Sequence, residues 1–153
     1  MSIDRADWHW DSAEKLYREK NNCTGELTDE QQWEIWLKAA NHIGLFLWWI
    51  IDRGFEGENL DAEDCAMVRN GQMTGMEFFM RYCDGKLWND DIREDVLPFV
   101  NAYFLNNDAY LDDYCDCCLD ETEKPLYEVI SDKSDYEKLC EKIDSAYQAF
   151  SLK

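Results

Sequence analysis

The longest apolar run of this chain spans residues 43–51 and reads IGLFLWWII. It lies in a longer segment, Thr28 to Arg53, whose other apolar residues recur at helical spacing. Thr28 and Gln31 have the spacing of an N-terminal capping box, and Gly54 is placed to end the helix in a left-handed conformation. Because a helix that is apolar on all sides packs in the interior, we predict a central helix over residues 28–53. Gly44 within it predicts a close contact with another helix.

Helical patterns also dominate the rest of the chain. Capping boxes are predicted at Thr74 with Glu77 and at Ser134 with Glu137, the second followed by an amphipathic stripe that extends to Phe150. Further helices are predicted over residues 62–70, 75–83, 95–104, with Asp95 as a possible cap, and 108–119. One short strand or hairpin is predicted near residues 126–130. We therefore predict a mostly α fold in a single domain, residues 1–153, with an ordered core over about 7–150.

The composition combines strong negative charge with many aromatic residues. The 153 residues include 34 Asp and Glu against 15 Lys and Arg, a net charge of −19, while 46% are hydrophobic and 14% aromatic. Disordered acidic chains lack this apolar content, since they cannot bury enough surface to offset the loss of chain entropy. We expect a folded core under a negative surface, which repels nucleic acid and anionic lipid and attracts basic proteins.

Neither a secretory signal nor a membrane span is visible. Residues 1–20 are charged and polar and contain no apolar h-region. The apolar run at residues 43–51 is much shorter than the roughly 20 residues that cross a bilayer. We expect a soluble, cytoplasmic protein without a membrane partner.

The seven cysteines are predicted to be free structural thiols. An odd number of cysteines without a secretory signal argues against a disulfide framework. Cys115, Cys117 and Cys118 form a cluster, but zinc sites usually pair one such knuckle with a second knuckle or with two histidines. Because the sequence has no second knuckle, we predict neither a metal nor a cofactor.

Three segments concentrate the acidic residues. They are residues 108–123, residues 56–64 and residues 90–95, the last diluted by Arg93. Charge runs usually face solvent, but several of them on one molecule would also steer a cationic partner and raise the association rate. None has the spacing of an EF-hand, so calcium is not expected. Direct binding of nucleic acid is not expected either, because the charge has the wrong sign.

Two alternatives to a binding protein stay open. The chain has two histidines, His9 between Trp8 and Trp10, and His42 on the apolar segment, where a hydrogen-bonded core histidine is more common than a base. Phosphate-loop, dinucleotide-binding, zinc-protease and serine-hydrolase motifs are absent. A small hydrolase using His42 with a carboxylate or a cysteine is one alternative. The other is a carboxylate surface that imitates the phosphate backbone and blocks a nuclease or a phage-defence complex.

Several short motifs resemble a small bacterial family of unknown function. They are Trp8-His9, residues 42–50, residues 74–79, residues 84–87, Asp112-Asp113-Tyr114 and residues 126–129, with single matches at Tyr103, Tyr110, Tyr136, Ile143, Asp144 and Tyr147. The resemblance covers residues 7–150 and transfers no catalytic residue. Proteins of this kind occur beside toxins of interbacterial competition, which implies an immunity protein. The Trp-rich segment 20–40 and the cysteine cluster depart from the family pattern and would make the toxin particular to this chain.

Charge, size and resemblance together favour an immunity protein that binds and neutralises a basic cognate toxin without catalysis. Aromatic residues beside acidic segments would anchor such an interface. The predicted partner-binding residues are Trp88, Asp90, Asp91, Asp108, Tyr110, Asp112, Asp113, Tyr114, Asp116, Asp120, Glu121 and Glu123.

Overall fold

The computed structural model describes residues 2–106, 108–118, 127 and 130–152, and a long helix runs through their centre. This helix spans Asp29–Asp52. The Thr28 hydroxyl accepts a hydrogen bond from the Gln31 amide, and the Gln31 side chain accepts one from the Thr28 amide, so the predicted capping box is confirmed. Gly54 follows the helix with a φ of 72°. Residues 39–51 are buried without interruption, as the all-apolar run predicts.

The other elements surround this helix, which we name α2. In chain order they are β1 Ser2–Arg5, α1 Trp10–Asn21, α2, α3 Ala62–Arg69, α4 Gly75–Tyr82, β2 Lys86–Trp88, α5 Leu97–Val100, a π-helix Asn101–Leu105 that continues α5, α6 Ala109–Cys118 and α7 Lys133–Ser151. Short 3-10 turns lie at Ala6–His9, Asn89–Asp91 and Glu94–Val96. The predicted mostly α, single-domain fold is confirmed. None of the helices in the described part of the chain is both long and apolar enough to cross a membrane.

Two strands that the sequence analysis did not predict form a small antiparallel sheet. Ser2 pairs with Trp88 and Arg5 with Lys86, and the register is irregular between Ser2 and Asp4. Strands this short give no periodic pattern in a sequence. The strand predicted near 126–130 lies mainly on residues outside the described ranges.

Close packing of α4 on α2 depends on two glycines. A Cβ on Gly75 would lie 2.1 Å from the Cβ of Trp48, and one on Gly44 would lie 2.2 Å from the sulfur of Met76. The close helix contact predicted at Gly44 is therefore confirmed. Beside this crossing, the Trp48 ring stacks on Tyr136 of α7 with 3.8 Å between ring centroids.

Two predicted helix starts are wrong. The side chain of Asp132 accepts a hydrogen bond from the Asp135 amide at 2.9 Å, so Asp132 caps α7 and the predicted box at Ser134 is not used. Carboxylates and hydroxyls both make good caps, and their order in the sequence does not decide between them. Asp95 lies inside a 3-10 turn, and α5 begins after it, with Pro98 in its first turn.

Candidate functional site

Two of the three acidic segments meet in a surface groove of about 1200 Å³. Glu56 and Glu58 reach it from the loop after α2, and Asp90 and Glu94 reach it from the turns after β2. Its apolar lining residues are Leu60, Ala62, Ile92 and Leu97. The groove thus combines carboxylates from two distant segments with an apolar lining, and we name it the acidic groove.

Backbone contacts hold the two sides of the acidic groove together. The Gly57 amide donates to the Asp91 carbonyl at 2.8 Å, and Glu56 forms an isolated antiparallel bridge with Ile92. A Cβ on Gly57 would lie 2.3 Å from the Asp90 carbonyl oxygen, so only glycine permits this approach. The convergence of the acidic segments is therefore built into the backbone.

Asp91 has a structural role in this groove. Its side chain is buried, and its carboxylate accepts hydrogen bonds from the Asn59 side-chain amide at 2.6 Å and the Trp88 backbone amide at 2.8 Å. Burial raises the pKa of Asp91, although both hydrogen bonds favour the ionised form. The prediction of Asp91 as a partner contact is wrong, because its carboxylate faces inward. Asp90 is exposed and Trp88 is half-buried.

The charges within the groove leave the acids in excess. Among the described residues that line it, Arg93 is the one base, and its guanidinium binds both carboxylate oxygens of Asp95 at 2.5 and 3.0 Å. One oxygen of Glu56 pairs with Arg69 at 2.8 Å. The other is buried and has no hydrogen-bond partner among the residues described.

The remaining acidic segment forms a separate exposed stripe. Asp108, Asp112 and Asp116 are exposed and spaced four residues apart, which puts them on one face of α6 and its start. Asp113 is half-buried and accepts a hydrogen bond from the Tyr103 hydroxyl at 2.5 Å. The predicted contacts Asp120, Glu121 and Glu123 lie outside the described residues.

Tyr110 and Tyr114 do not reach the surface. Both side chains are fully buried, so the prediction that they anchor a partner is wrong. The Tyr110 hydroxyl donates to the backbone carbonyl of His42, and the Tyr114 hydroxyl accepts from the Asn41 side-chain amide at 2.6 Å. Both rings of α6 can be buried against α2 because their hydroxyls are hydrogen-bonded to α2 residues.

Asp4, His9 and His42 form a polar cluster at the junction of β1, the following turn and α2. His9 Nε2 lies 2.8 Å from one Asp4 oxygen, and His42 Nε2 lies 3.6 Å from the other. The second nitrogen of His9 contacts the Tyr127 hydroxyl. The rings of His9 and His42 meet edge to face with 4.6 Å between centroids. The two histidines lie far apart in the sequence, and no sequence pattern unites them with Asp4.

The cluster favours an ionised carboxylate and a neutral imidazole. Burial raises the pKa of Asp4, but the neighbouring imidazoles of His42 and His9 outweigh it and hold that pKa below its usual range. Burial lowers the pKa of His42, and the Asp4 carboxylate opposes this only in part. His42 is almost completely buried, so it reaches no substrate in solution.

The clustered cysteines of α6 and the nearby Cys140 are not activated thiols. Burial raises the pKa of Cys118 to about 12 and of Cys140 to about 11, and it also raises the pKa values of Cys115 and Cys117. Thiols of this kind stay protonated at neutral pH and are poor nucleophiles. Among the described residues, the metal-binding geometry is found at the Asp4 cluster and not at the cysteines.

Fold and surface together define a small, acidic, helical protein with a two-stranded sheet and a groove lined by carboxylates. A family model matches residues 2–129, and the chain belongs to that family, described as Domain of unknown function (DUF7832). No curated protein and no solved structure matches the chain.

Proposed function

We propose that this protein is a non-catalytic immunity protein that binds and neutralises a basic bacterial toxin through the acidic groove. The proposal combines the resemblance to proteins found beside interbacterial toxins with the net charge of −19. A negative surface of this size accelerates encounter with a basic partner at low ionic strength.

The observation that carries the proposal is the convergence of two acidic segments in one groove. Glu58, Asp90 and Glu94 are exposed there, and the apolar lining supplies surface that a partner can desolvate. The acidic groove joins charge to concave apolar area, which specific interfaces need.

A role without catalysis agrees with the chemistry of the candidate groups. His42 is buried against Asp4, and burial raises the pKa values of the three α6 thiols, so neither group is an activated base or nucleophile. These features favour a binding protein over the hydrolase alternative.

The test begins with the products of the neighbouring genes and takes any toxin among them as the candidate partner. Co-expression measures whether the protein protects cells, and surface plasmon resonance measures the association rate of the purified pair at low and moderate salt. The groove variant is Glu58→Lys with Asp90→Lys and Glu94→Lys. We expect it to lower the association rate by about tenfold or more and to abolish protection.

A variant with the same change in charge serves as the control. Asp108→Lys with Asp112→Lys and Asp116→Lys alters the exposed stripe of α6 and leaves Asp113 bonded to Tyr103. A larger effect from the stripe variant would place the interface on α6 and overturn the groove assignment. Absence of protection by the unaltered protein would overturn the immunity function itself. Competition by DNA for the toxin would favour the nucleic-acid-mimic alternative.

A further inference from the structure

The Asp4, His9 and His42 side chains have the composition and spacing of a transition-metal site. One ligand atom from each residue lies within 4.8 Å of those from the other two. A tetrahedral zinc ion with bonds of about 2.0–2.2 Å holds its ligand atoms about 3.4 Å apart. His9 Nε2 lies 2.8 Å from one Asp4 oxygen and His42 Nε2 lies 3.6 Å from the other, so both nitrogens lie close to the carboxylate that would share the ion.

The protein holds all three donors in place through separate elements. Asp4 lies on β1 next to the irregularity in its pairing with β2, and such irregularities turn a side chain away from its regular direction. His9 ends the 3-10 turn that follows, and His42 lies in the fully buried part of α2. A metal would thus find its ligands on a rigid frame.

Hydrogen bonding within the protein leaves this cluster incompletely satisfied. The 3.6 Å between His42 Nε2 and Asp4 is longer than a hydrogen bond, so this nitrogen makes none to the carboxylate it faces. The ion pairs found for the Asp4 carboxylate within the described ranges are with His9 and His42, and none is with Lys or Arg. A half-buried carboxylate and a buried imidazole that does not hydrogen-bond to it are stabilised by a shared cation.

We infer that Asp4, His9 and His42 bind one zinc ion, with the Tyr127 hydroxyl orienting His9 from behind. Two imidazoles and one carboxylate suit zinc and exclude calcium and magnesium, which take oxygen ligands. His9 binds through Nε2, and its Nδ1–H donates to Tyr127, the outer contact that fixes the ring of a metal-bound histidine. The ion joins the N-terminal strand to the central helix, and its fourth position is left for a small exogenous ligand.

The test uses untagged protein treated with a chelator, because the chain has only two histidines. Calorimetry with Zn²⁺ is expected to give one site per chain. In nitrogen NMR of the imidazoles, added Zn²⁺ is expected to shift the signals of His9 and His42 together. Zn²⁺ bound at cysteines or surface acids would leave these signals in place. Addition of Co²⁺ is expected to give the visible absorption of a tetrahedral nitrogen–oxygen site.

Variants separate this site from other zinc-binding groups. Asp4→Asn and His9→Gln, both at partly exposed positions, are expected to weaken Zn²⁺ binding by about 100-fold or more. Asp7→Asn is the matched control, since Asp7 lies in the same segment but pairs with Arg5. A second control, Cys115→Ser with Cys117→Ser, is also expected to keep full affinity.

Two results would overturn the inference. One is stoichiometric Zn²⁺ binding that persists in folded Asp4→Asn and His9→Gln protein. The other is imidazole signals in the unaltered protein that stay unmoved at millimolar Zn²⁺. The NMR measurement uses the unaltered protein, so it tests the site even if a substitution prevents folding.

Discussion

Single residues of this protein show that a polar side chain expected at the surface can instead be buried and hydrogen-bonded inside the fold. Tyr110 and Tyr114 stand beside exposed acids in the sequence, which suggests surface anchors, yet both rings are buried against α2. A helix alternates its faces within a few residues, so neighbours in sequence need not share a surface. Asp91 and Asp90 differ in the same way. The Asp91 carboxylate is buried and accepts hydrogen bonds from the Asn59 side chain and the Trp88 amide, while Asp90 is exposed.

The ion pair of Asp144 with Arg53 predicts how stability depends on pH. Its carboxylate accepts from Trp49 Nε1 at 2.8 Å and from Arg53 Nε and Nη2 at 2.9 and 2.7 Å. Burial opposes ionisation, but Arg53 and Trp49 outweigh it and hold the pKa of Asp144 below its ordinary 3.8. We expect Asp144→Asn to cost about 1 kcal/mol of unfolding free energy at pH 7, a modest value because the pair is partly exposed.

The sign of the pH effect follows from the lowered pKa. A carboxylate with a depressed folded-state pKa stabilises above its unfolded pKa, and this contribution is lost as pH falls through the lower folded value. Urea unfolding should therefore show the gap between Asp144→Asn and the unaltered protein closing below pH 3.8. Asp116→Asn, at an exposed site, is the control and should differ little at either pH. A gap that is constant with pH would contradict the ion-pair role.

Among the helices, the crossing of α4 over α2 depends more strongly on Gly75 than on Gly44. The Cβ of an alanine at Gly75 would meet the Cβ and the backbone Cα of Trp48, neither of which can rotate away. At Gly44 it would meet the Met76 thioether, the end of a flexible side chain. We expect Gly75→Ala to lower the unfolding free energy by about 2–3 kcal/mol, and Gly44→Ala by less than about 1 kcal/mol.

Chemical denaturation of both variants measures this difference. The two substitutions add the same methyl group on opposite sides of one crossing, so each serves as the control for the other. Equal losses would mean that α4 shifts as a unit to relieve either contact.

The helices and strands differ in how well sequence patterns predict them. The box at Thr28 and the apolar run over 43–51 predict α2 with its ends, because capping and burial are both local properties of the chain. β1 and β2 have four and three residues, too few for a period, and their pairing joins positions more than 80 residues apart. The Asp4, His9 and His42 cluster was missed for the same reason, since tertiary packing alone unites its residues.

For the whole molecule, net charge is the property that sets both solubility and internal repulsion. With a charge of −19 on 153 residues, like charges repel across the surface of the folded chain. Salt shortens the screening length from about 30 Å at 0.01 M to about 8 Å at 0.15 M. We therefore expect the Tm at pH 7 to rise between about 0.01 M and 0.15 M NaCl, measured by circular dichroism.

A variant with three fewer charges gives the comparison. Asp108→Asn with Asp112→Asn and Asp116→Asn should show a smaller rise in Tm with salt, because it removes repulsion at one exposed stripe. A fall in Tm with salt would indicate that attractive pairs, such as Arg5 with Asp7, outweigh the repulsion.

The pairing of β1 with β2 has a consequence for how the protein is made. Synthesis delivers Asp4 and His9 to the tunnel exit first and His42 next, but β1 has no partner strand until Lys86–Trp88 has emerged. Closing a loop of this length is also among the slower steps of folding. Asp4, which lies on β1, therefore reaches its final place beside the two histidines only after Lys86–Trp88 has emerged. A zinc ion bound by all three side chains would report that the first and middle segments of the chain have met.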